Sequence, residues 1–269
     1  MSALDDTNTA FWNELCGTHL ARQLGISDHG AASLCKFDDW YLRYYSYLHA
    51  HIPLDAVAGE ELLEIGLGYG TVAQKLMEAG AHYHGLDLAD GPVALARHRA
   101  GLLGVSADVR QGSALAIPYP DDTFDRVISI GCLHHTGNLP LAMREVHRVA
   151  KRGGRVMIMV YNALSYRQWR LAPRGTFRRW LRPDFAWENA EPRFRAAYDT
   201  NQEGAAAPCT TFISSREASV FLQRMFRSVT VTPRNIGEDF LGSRLWMRSA
   251  KNACLGRLLG LDLYIDCIK

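Results

Sequence analysis

The run Leu62-Leu63-Glu64-Ile65-Gly66-Leu67-Gly68-Tyr69-Gly70, followed by Leu86-Asp87-Leu88, constrains the fold more than any other stretch of this chain. A short apolar run bounded by glycines reads as a buried parallel strand. Glycines at alternate positions let the backbone turn sharply and approach a ligand that any Cβ would block. A helix is expected from Thr71 until Gly80, with its free N–H groups beside that ligand. The next strand, near His82 to Asp87, places the Asp87 carboxylate to accept hydrogen bonds from both hydroxyls of a ribose. Strand, turn, helix, strand and acid together point to an adenosine-bearing ligand.

Two readings of the turn compete. Gly68-Tyr69-Gly70-Thr71-Val72-Ala73 satisfies the G-x-G-x-x-A dinucleotide fingerprint, in which the helix dipole faces a pyrophosphate. Glu64 favours the other reading, because a carboxylate there repels a pyrophosphate and suits a ligand carrying an ammonium and a sulfonium. The block from Leu63 to Gly70 closely resembles the first motif of class I S-adenosylmethionine-dependent methyltransferases. Downstream, Gly85-Leu86-Asp87-Leu88 resembles that family's ribose-binding acid, and Gln111-Gly112-Ser113-Ala114 with Ile117-Pro118-Tyr119-Pro120 its adenine-contacting turn. Phe124 to Gly131 resembles the fourth strand entering the catalytic loop, and Val149 to Val156 the turn into the fifth. The resemblance spans Glu61 to Tyr161. It implies a Rossmann-like, doubly wound α/β sheet of the class I methyltransferase type, with an antiparallel last strand at its edge and a helical N-terminal lid. It also implies S-adenosylmethionine as cofactor, held by Glu64, Gly66, Gly68, Gly70, Asp87, Leu88, Ser113, Ala114 and Gly131. Ser113 departs from the family's usual Asp, and its hydroxyl accepts more weakly from the adenine amino group. Adenine is then held more by backbone and by Leu88 and Leu115.

A chain of 269 residues with 48% hydrophobic content buries a core large enough for one such domain. We divide it into a helical lid (1–58), the cofactor core (59–161), an insertion (162–207) and a C-terminal completion of the sheet (208–269). The last part reads as a helix over Thr211 to Phe226 capped by Ser214 or Ser215, a strand at Val229 to Thr232, a helix near Ser243 to Leu259, and a final strand at Leu261 to Ile268 with one wetter face. A net charge of +2 carries no general nucleic-acid footprint. The six cysteines (Cys16, Cys35, Cys132, Cys209, Cys254, Cys267) contain no C-x-x-C pair, which argues for reduced thiols rather than disulfides or zinc. No stretch reaches membrane-spanning length and no leader is recognised, so a cytoplasmic monomer or homodimer is expected, with neither membrane nor nucleic acid as partner.

Three groups of residues are candidates for chemistry. The N-terminal section holds Phe11, Trp12, Phe37, Trp40, Tyr41, Tyr44, Tyr45 and Tyr47. Trp40, Tyr44 and Tyr47 fit the buried stripe of a helix packed on the sheet. A lid is the sharper reading, in which rings such as Tyr41, Tyr44 and Tyr45 face the sulfonium by cation–π attraction. Cys132-Leu133-His134-His135-Thr136 follows the fourth strand, where the crevice opens, and one of His134 and His135 is a candidate general base while the other fixes the loop. His82 and His84, and likewise His49 and His51, lack a third ligand at recognisable spacing, so no metal site is expected. The insertion is rich in Arg and Trp, which reads as a solvated helix face or as a surface for an anionic substrate, carrier or partner. Asp199-Thr200-Asn201 returns toward the crevice with no role legible from spacing.

The reading that follows is an S-adenosylmethionine-dependent methyltransferase of secondary metabolism acting on a small molecule. Its rival needs no second substrate. The aromatic lid, Gly17-Thr18-His19 and the turn from Gly68 to Gln74 also resemble the enzymes of this fold that cyclise S-adenosylmethionine into azetidine-2-carboxylate and release methylthioadenosine. A non-catalytic cofactor-binding subunit is the remaining alternative.

Overall fold

The computed structural model describes residues 3–15, 18–54, 56–240 and 252–269. Parallel strands β1 (Glu61–Ile65), β2 (His82–Asp87), β3 (Asp108–Gln111), β4 (Phe124–Ile130) and β5 (Ala150–Tyr161) form the core of the sheet. Strands β6 (Ser228–Arg234) and β7 (Asp262–Ile268) complete it in the order β3-β2-β1-β4-β5-β7-β6. Leu62, Leu63 and Ile65 of β1 are almost fully buried, because helices cover both faces of the sheet. The pleat sends Leu63 and Ile65 to a cluster with Val146 and Leu222, and Leu62 to one with Val72 and Ala96. Helices α4 (Thr71–Glu78), α5 (Asp90–Leu103) and α6 (Leu139–Val149) make the parallel crossovers. Strand order reverses between β1 and β4, which opens a crevice at their carboxyl ends.

The doubly wound sheet and its antiparallel last strand are those expected from the sequence, with one correction. β7 is not an edge strand: it lies between β5 and β6, antiparallel to both. Its wetter face is confined to the carboxyl end, where Asp266 is half-buried and Ile268 is exposed, opposite the buried Leu263, Ile265 and Cys267. Neighbours on both sides bury even Asp262, 2% exposed, which accepts from the Asn235 side chain. The helix expected over Thr211 to Phe226 is shorter, Ser215–Leu222, and opens with the capping box in which Ser214 and Glu217 satisfy each other's backbone. Most of the helix expected near Ser243 to Leu259 lies outside the described residues, as do Cys16 and Gly17; a single turn, Gly256–Leu259, is described at its end.

Before the sheet come α1 (Ala3–Leu15), α2 (Thr18–Gln23) and α3 (Ala31–Tyr44). The buried stripe of α3 runs through Leu34, Phe37 and Asp38 rather than Trp40 and Tyr44, which stack on each other at the periphery with ring centroids 4.7 Å apart. The register is set by charge. Arg99 of α5 is fully buried and donates to both carboxylate oxygens of Asp38, at 2.7 and 3.0 Å. It also donates to the Tyr69 carbonyl at 2.9 Å and to Gln74 at 2.6 Å, while the Thr71 hydroxyl donates to Asp38 at 2.6 Å. Gly70 has φ +75°, and a Cβ there would meet Arg99 Cδ at 2.8 Å, so this glycine serves the guanidinium.

Replacing Arg99 with Met strands a buried carboxylate and is expected to cost about 3–5 kcal/mol, read as a lower midpoint in urea. Adding Asp38→Asn should recover part of that loss, since the unpaired charge is then gone. An unchanged midpoint for Arg99→Met would show that the network does not hold the fold.

Candidate active site

The crevice at the reversal point is a cavity of about 490 Å³, within the size range of small-molecule sites. Its floor is the turn after β1. Gly68, at φ +51°, faces it with nothing within 4 Å of where a Cβ would stand, so the backbone is bare toward the ligand space. Asp87, at the end of β2, accepts from Leu67 N–H at 2.7 Å and from Ala89 N–H at 2.9 Å, and so shapes the turn as well as facing the cavity. Burial pushes its carboxyl up to about 6 against those hydrogen bonds. Each carboxylate oxygen keeps a lone pair for a hydroxyl donor. Leu88, Ser113 and Ala114 form the adjoining wall, with the Ser113 hydroxyl accepting from Leu115 N–H at 3.2 Å.

Glu64 lines the same cavity and is 3% exposed. The Tyr83 hydroxyl donates to it at 2.7 Å, yet burial carries its carboxyl up to about 8. A buried carboxyl with one neutral donor is short of a positive partner. The rings of Tyr41 and Tyr45 line the wall there, together with Phe37 and Trp40. An acid at the end of β2, a bare glycine turn and a buried acid walled by aromatic rings make a lining that suits a ligand carrying ribose hydroxyls and a cation.

The far end is built by α1 and by the loop after β4. Asp5, Asn8 and Trp12 line it from the lid, and Gly131, Cys132, His135 and Thr136 from the loop. The Asn8 side chain donates to the His135 carbonyl at 2.9 Å, which leaves its own oxygen without a donor among the described residues. His135 Nδ1 lies 2.7 Å from the Cys209 carbonyl, so Nδ1 carries the proton and the neutral ring keeps its lone pair on Nε2. That nitrogen has no hydrogen-bond partner among the described residues and stands 3.7 Å from Asp199 Oδ2. The Tyr161 hydroxyl donates to both Asp199 oxygens, at 3.0 and 3.1 Å. Burial lowers the His135 pKa and raises that of Asp199, and the Trp12 ring packs on the imidazole at 4.6 Å.

Not every candidate reaches this cavity. His134 is off its wall: the ring is fully buried, packs on Tyr161 at 4.2 Å, and has no hydrogen bond from either nitrogen among the described residues. Its ring packs on that of His135 at 4.0 Å, so the two imidazoles are neighbours, and only His135 borders the cavity. Tyr44 and Gly70 are off the wall too, the first at the periphery of α3 and the second turned toward Arg99. Conversely, Asn8, Cys132, Tyr161 and Asp199 join the site without having been singled out for it. Asp199 lies 64 residues beyond His135, and no spacing rule connects them.

Comparison with known proteins supports the same assignment. Residues 63–158 match the model of a methyltransferase domain. A ubiquinone biosynthesis O-methyltransferase of Pseudomonas aeruginosa is 33% identical over 141 residues, 47% of this chain and 60% of that protein. A demethylmenaquinone methyltransferase of Tropheryma whipplei is 28% identical over 110 residues, 40% and 45% of the two chains. The chain thus spans 60% or less of the length of these relatives. Among solved structures, a Thermotoga maritima S-adenosylmethionine-dependent methyltransferase described as a possible histamine N-methyltransferase superposes with TM-score 0.53 at 17% identity, covering 88% of this chain and 95% of that one. The cyclase SpnF superposes with TM-score 0.57 at 15% identity, covering 97% and 94%. At such identities the likeness is one of fold. Domain match, relatives and fold together show that residues 63–158 carry a methyltransferase domain, on a scaffold that this chain shares with solved S-adenosylmethionine-dependent methyltransferases.

Proposed function

We propose that the protein transfers a methyl group from S-adenosylmethionine to a hydroxyl of a small aromatic molecule held beneath α1 and α3, with His135 taking the acceptor's proton. The observation that carries this reading is one cavity lined by Glu64 and Asp87 and also by His135, whose Nε2 is buried and unengaged among the described residues. Asp87 binds the ribose, Glu64 faces the ammonium, and Tyr41 and Tyr45 offer ring faces worth about 1–2 kcal/mol to a desolvated cation. The bound sulfonium supplies an electrophilic methyl carbon. His135 Nε2 removes the hydroxyl proton, and Asp199, oriented by Tyr161, stabilises the imidazolium that forms. Trp12, packed on His135, walls the acceptor end and excludes water. The hydroxyl acceptor is supported by the orphaned oxygen of Asn8 and the lone pair of His135, both of which require a donor, and by the O-methyltransferase relatives.

A second reading, cyclisation of S-adenosylmethionine to azetidine-2-carboxylate, is favoured by one observation. Glu64, with its carboxyl at about 8, stands where it can take a proton from the methionyl ammonium, and that amine must be neutral to attack its own γ-carbon. The acceptor end of the cavity, with its unengaged histidine, has no part in that reaction.

Incubation with S-adenosylmethionine alone separates the two: the methyltransferase stays idle, and S-adenosylhomocysteine appears only on adding an acceptor from a panel of catechols and hydroxybenzoates. Methylthioadenosine released above the spontaneous rate, found by mass spectrometry, would instead establish the cyclase. With an acceptor in hand, His135→Gln should lower kcat by about a hundredfold or more while S-adenosylhomocysteine affinity stays within about threefold. Asp199→Asn should lower kcat and shift the acid limb of its pH profile, which a purely structural Asp199 would leave in place.

Ribose binding gives a pH test that needs no acceptor. Methylthioadenosine carries the ribose without the amino acid, and its hydroxyls donate to ionised Asp87. The free carboxyl lies at about 6, so affinity should be flat above neutrality and fall as pH drops below 6, by up to about tenfold per unit. Asp87→Asn should bind more weakly and lose that dependence. Calorimetry showing a parent-like profile in the variant would remove Asp87 from the ribose.

A further inference from the structure

The segment from Asn162 to Pro183 contains six arginines and no acidic residue. Its longest helix, α7 (Pro173–Leu181), is amphipathic the wrong way round for a helix that only packs on a core. The inward side is polar: Thr176 is buried and donates to the Gln168 carbonyl at 3.0 Å, and Arg179 reaches Glu217 at 2.8 Å and the Phe212 carbonyl at 2.8 Å. The outward side is apolar. Phe177, Trp180 and Leu181, three and four residues apart and so on one stripe, are 49%, 55% and 55% exposed. The Phe177 and Trp180 rings stand 5.7 Å apart, and Leu171 and Phe185 extend the exposed apolar surface.

Beside that stripe runs a second one. Arg174, Arg178 and Arg182 follow each other at intervals of four, all exposed, and none forms an ion pair with a described residue. They line an open recess that Arg193 also borders. Other arginines of the insertion are spent internally, Arg167 and Arg170 on Asp239 and Arg195 on the Ala207 and Pro208 carbonyls. The three that remain therefore carry charge available to a partner. Isolated exposed apolar side chains are ordinary, but a crest of aromatic and aliphatic residues flanked by unpaired arginines is not.

We propose that this face docks on an anionic phospholipid surface, with Phe177, Trp180 and Leu181 entering the headgroup region and Arg174, Arg178 and Arg182 meeting the lipid phosphates. The occupant is argued from charge complementarity and from the order of chemistry across the helix: the apolar stripe forms the crest and the guanidinium stripe flanks it, as acyl chains lie beneath phosphates in a bilayer leaflet. Among the described residues no helix is long and apolar enough to cross a membrane. Lying on a surface requires no such helix, and the proposal departs from the expectation, read from the sequence, of no membrane partner.

The test is co-sedimentation of the full chain with vesicles of phosphatidylcholine alone or mixed with phosphatidylglycerol. The parent should pellet with the anionic vesicles, weakly or not at all with the neutral ones, and less as salt is raised. Arg174→Glu/Arg178→Glu/Arg182→Glu should lower the partition coefficient by about a hundredfold, at roughly fivefold per arginine lost. Phe177→Ser/Trp180→Ser should lower it at least tenfold. Calorimetric binding of S-adenosylhomocysteine, unchanged in both variants, establishes that they are folded, and the parent's preference between the two vesicle types tests the proposal without any variant. Equal pelleting with neutral and anionic vesicles, no pelleting with either, or parent-like pelleting of the folded variants would each overturn it. So would self-association of the parent that Phe177→Ser/Trp180→Ser abolishes in the absence of vesicle binding, because the face would then join copies of this chain.

Discussion

A guanidinium with no contact with water is what the rest of the site depends on. Arg99 leaves α5 and meets α3 through Asp38, the glycine turn through the Tyr69 carbonyl, and α4 through Gln74. A charge buried this completely persists only if every donor is answered, so its partners have little freedom of position. One constraint thereby ties the lid to the ligand-binding turn. Phe37 stacks on Tyr69 at 4.0 Å as a consequence, and the rings of Tyr41 and Tyr45 come to face the cavity from a helix that is otherwise only packed against the core.

The cavity that results is electrostatically unfinished at both ends. Near the turn, buried Glu64 and partly buried Asp87 have carboxyls that loss of contact with water lifts above their ordinary range. Toward α1, a histidine fixed in one tautomer keeps a buried, unengaged nitrogen 3.7 Å from the partly buried Asp199. Groups held in this way are poorly solvated in the free protein, and a ligand that brings a cation, ribose hydroxyls and an acidic proton satisfies all of them together. The same scaffold carries other reactions, as the superposition with the cyclase SpnF illustrates, and that is consistent with chemistry residing in what lines the crevice rather than in the sheet.

What the sequence determined by itself is local and periodic. The strand, glycine turn, helix and acid between Leu62 and Asp87 are dictated by residues whose spacing is a covalent fact, and the motifs that continue to Tyr161 place the cofactor half of the cavity. The capping box at Ser214 and Glu217 is of the same kind, although the helix it opens proved shorter than its apolar pattern. What only the tertiary structure decided is which side chains from remote segments share one space. Asp199, Tyr161 and Asn8 meet His135 because the insertion folds back over β5 and α1 packs on the loop after β4. Which of the two packed imidazoles borders the cavity rests on the seating of His134 against Tyr161, the register of α3 on a buried ion pair, and the interior place of β7 on its antiparallel pairing with β6. Pairings between residues far apart in the chain depend on energies of packing and desolvation that no local pattern encodes, and for that reason the residues proposed for the cofactor end could be read from the sequence and those of the proposed acceptor end could not.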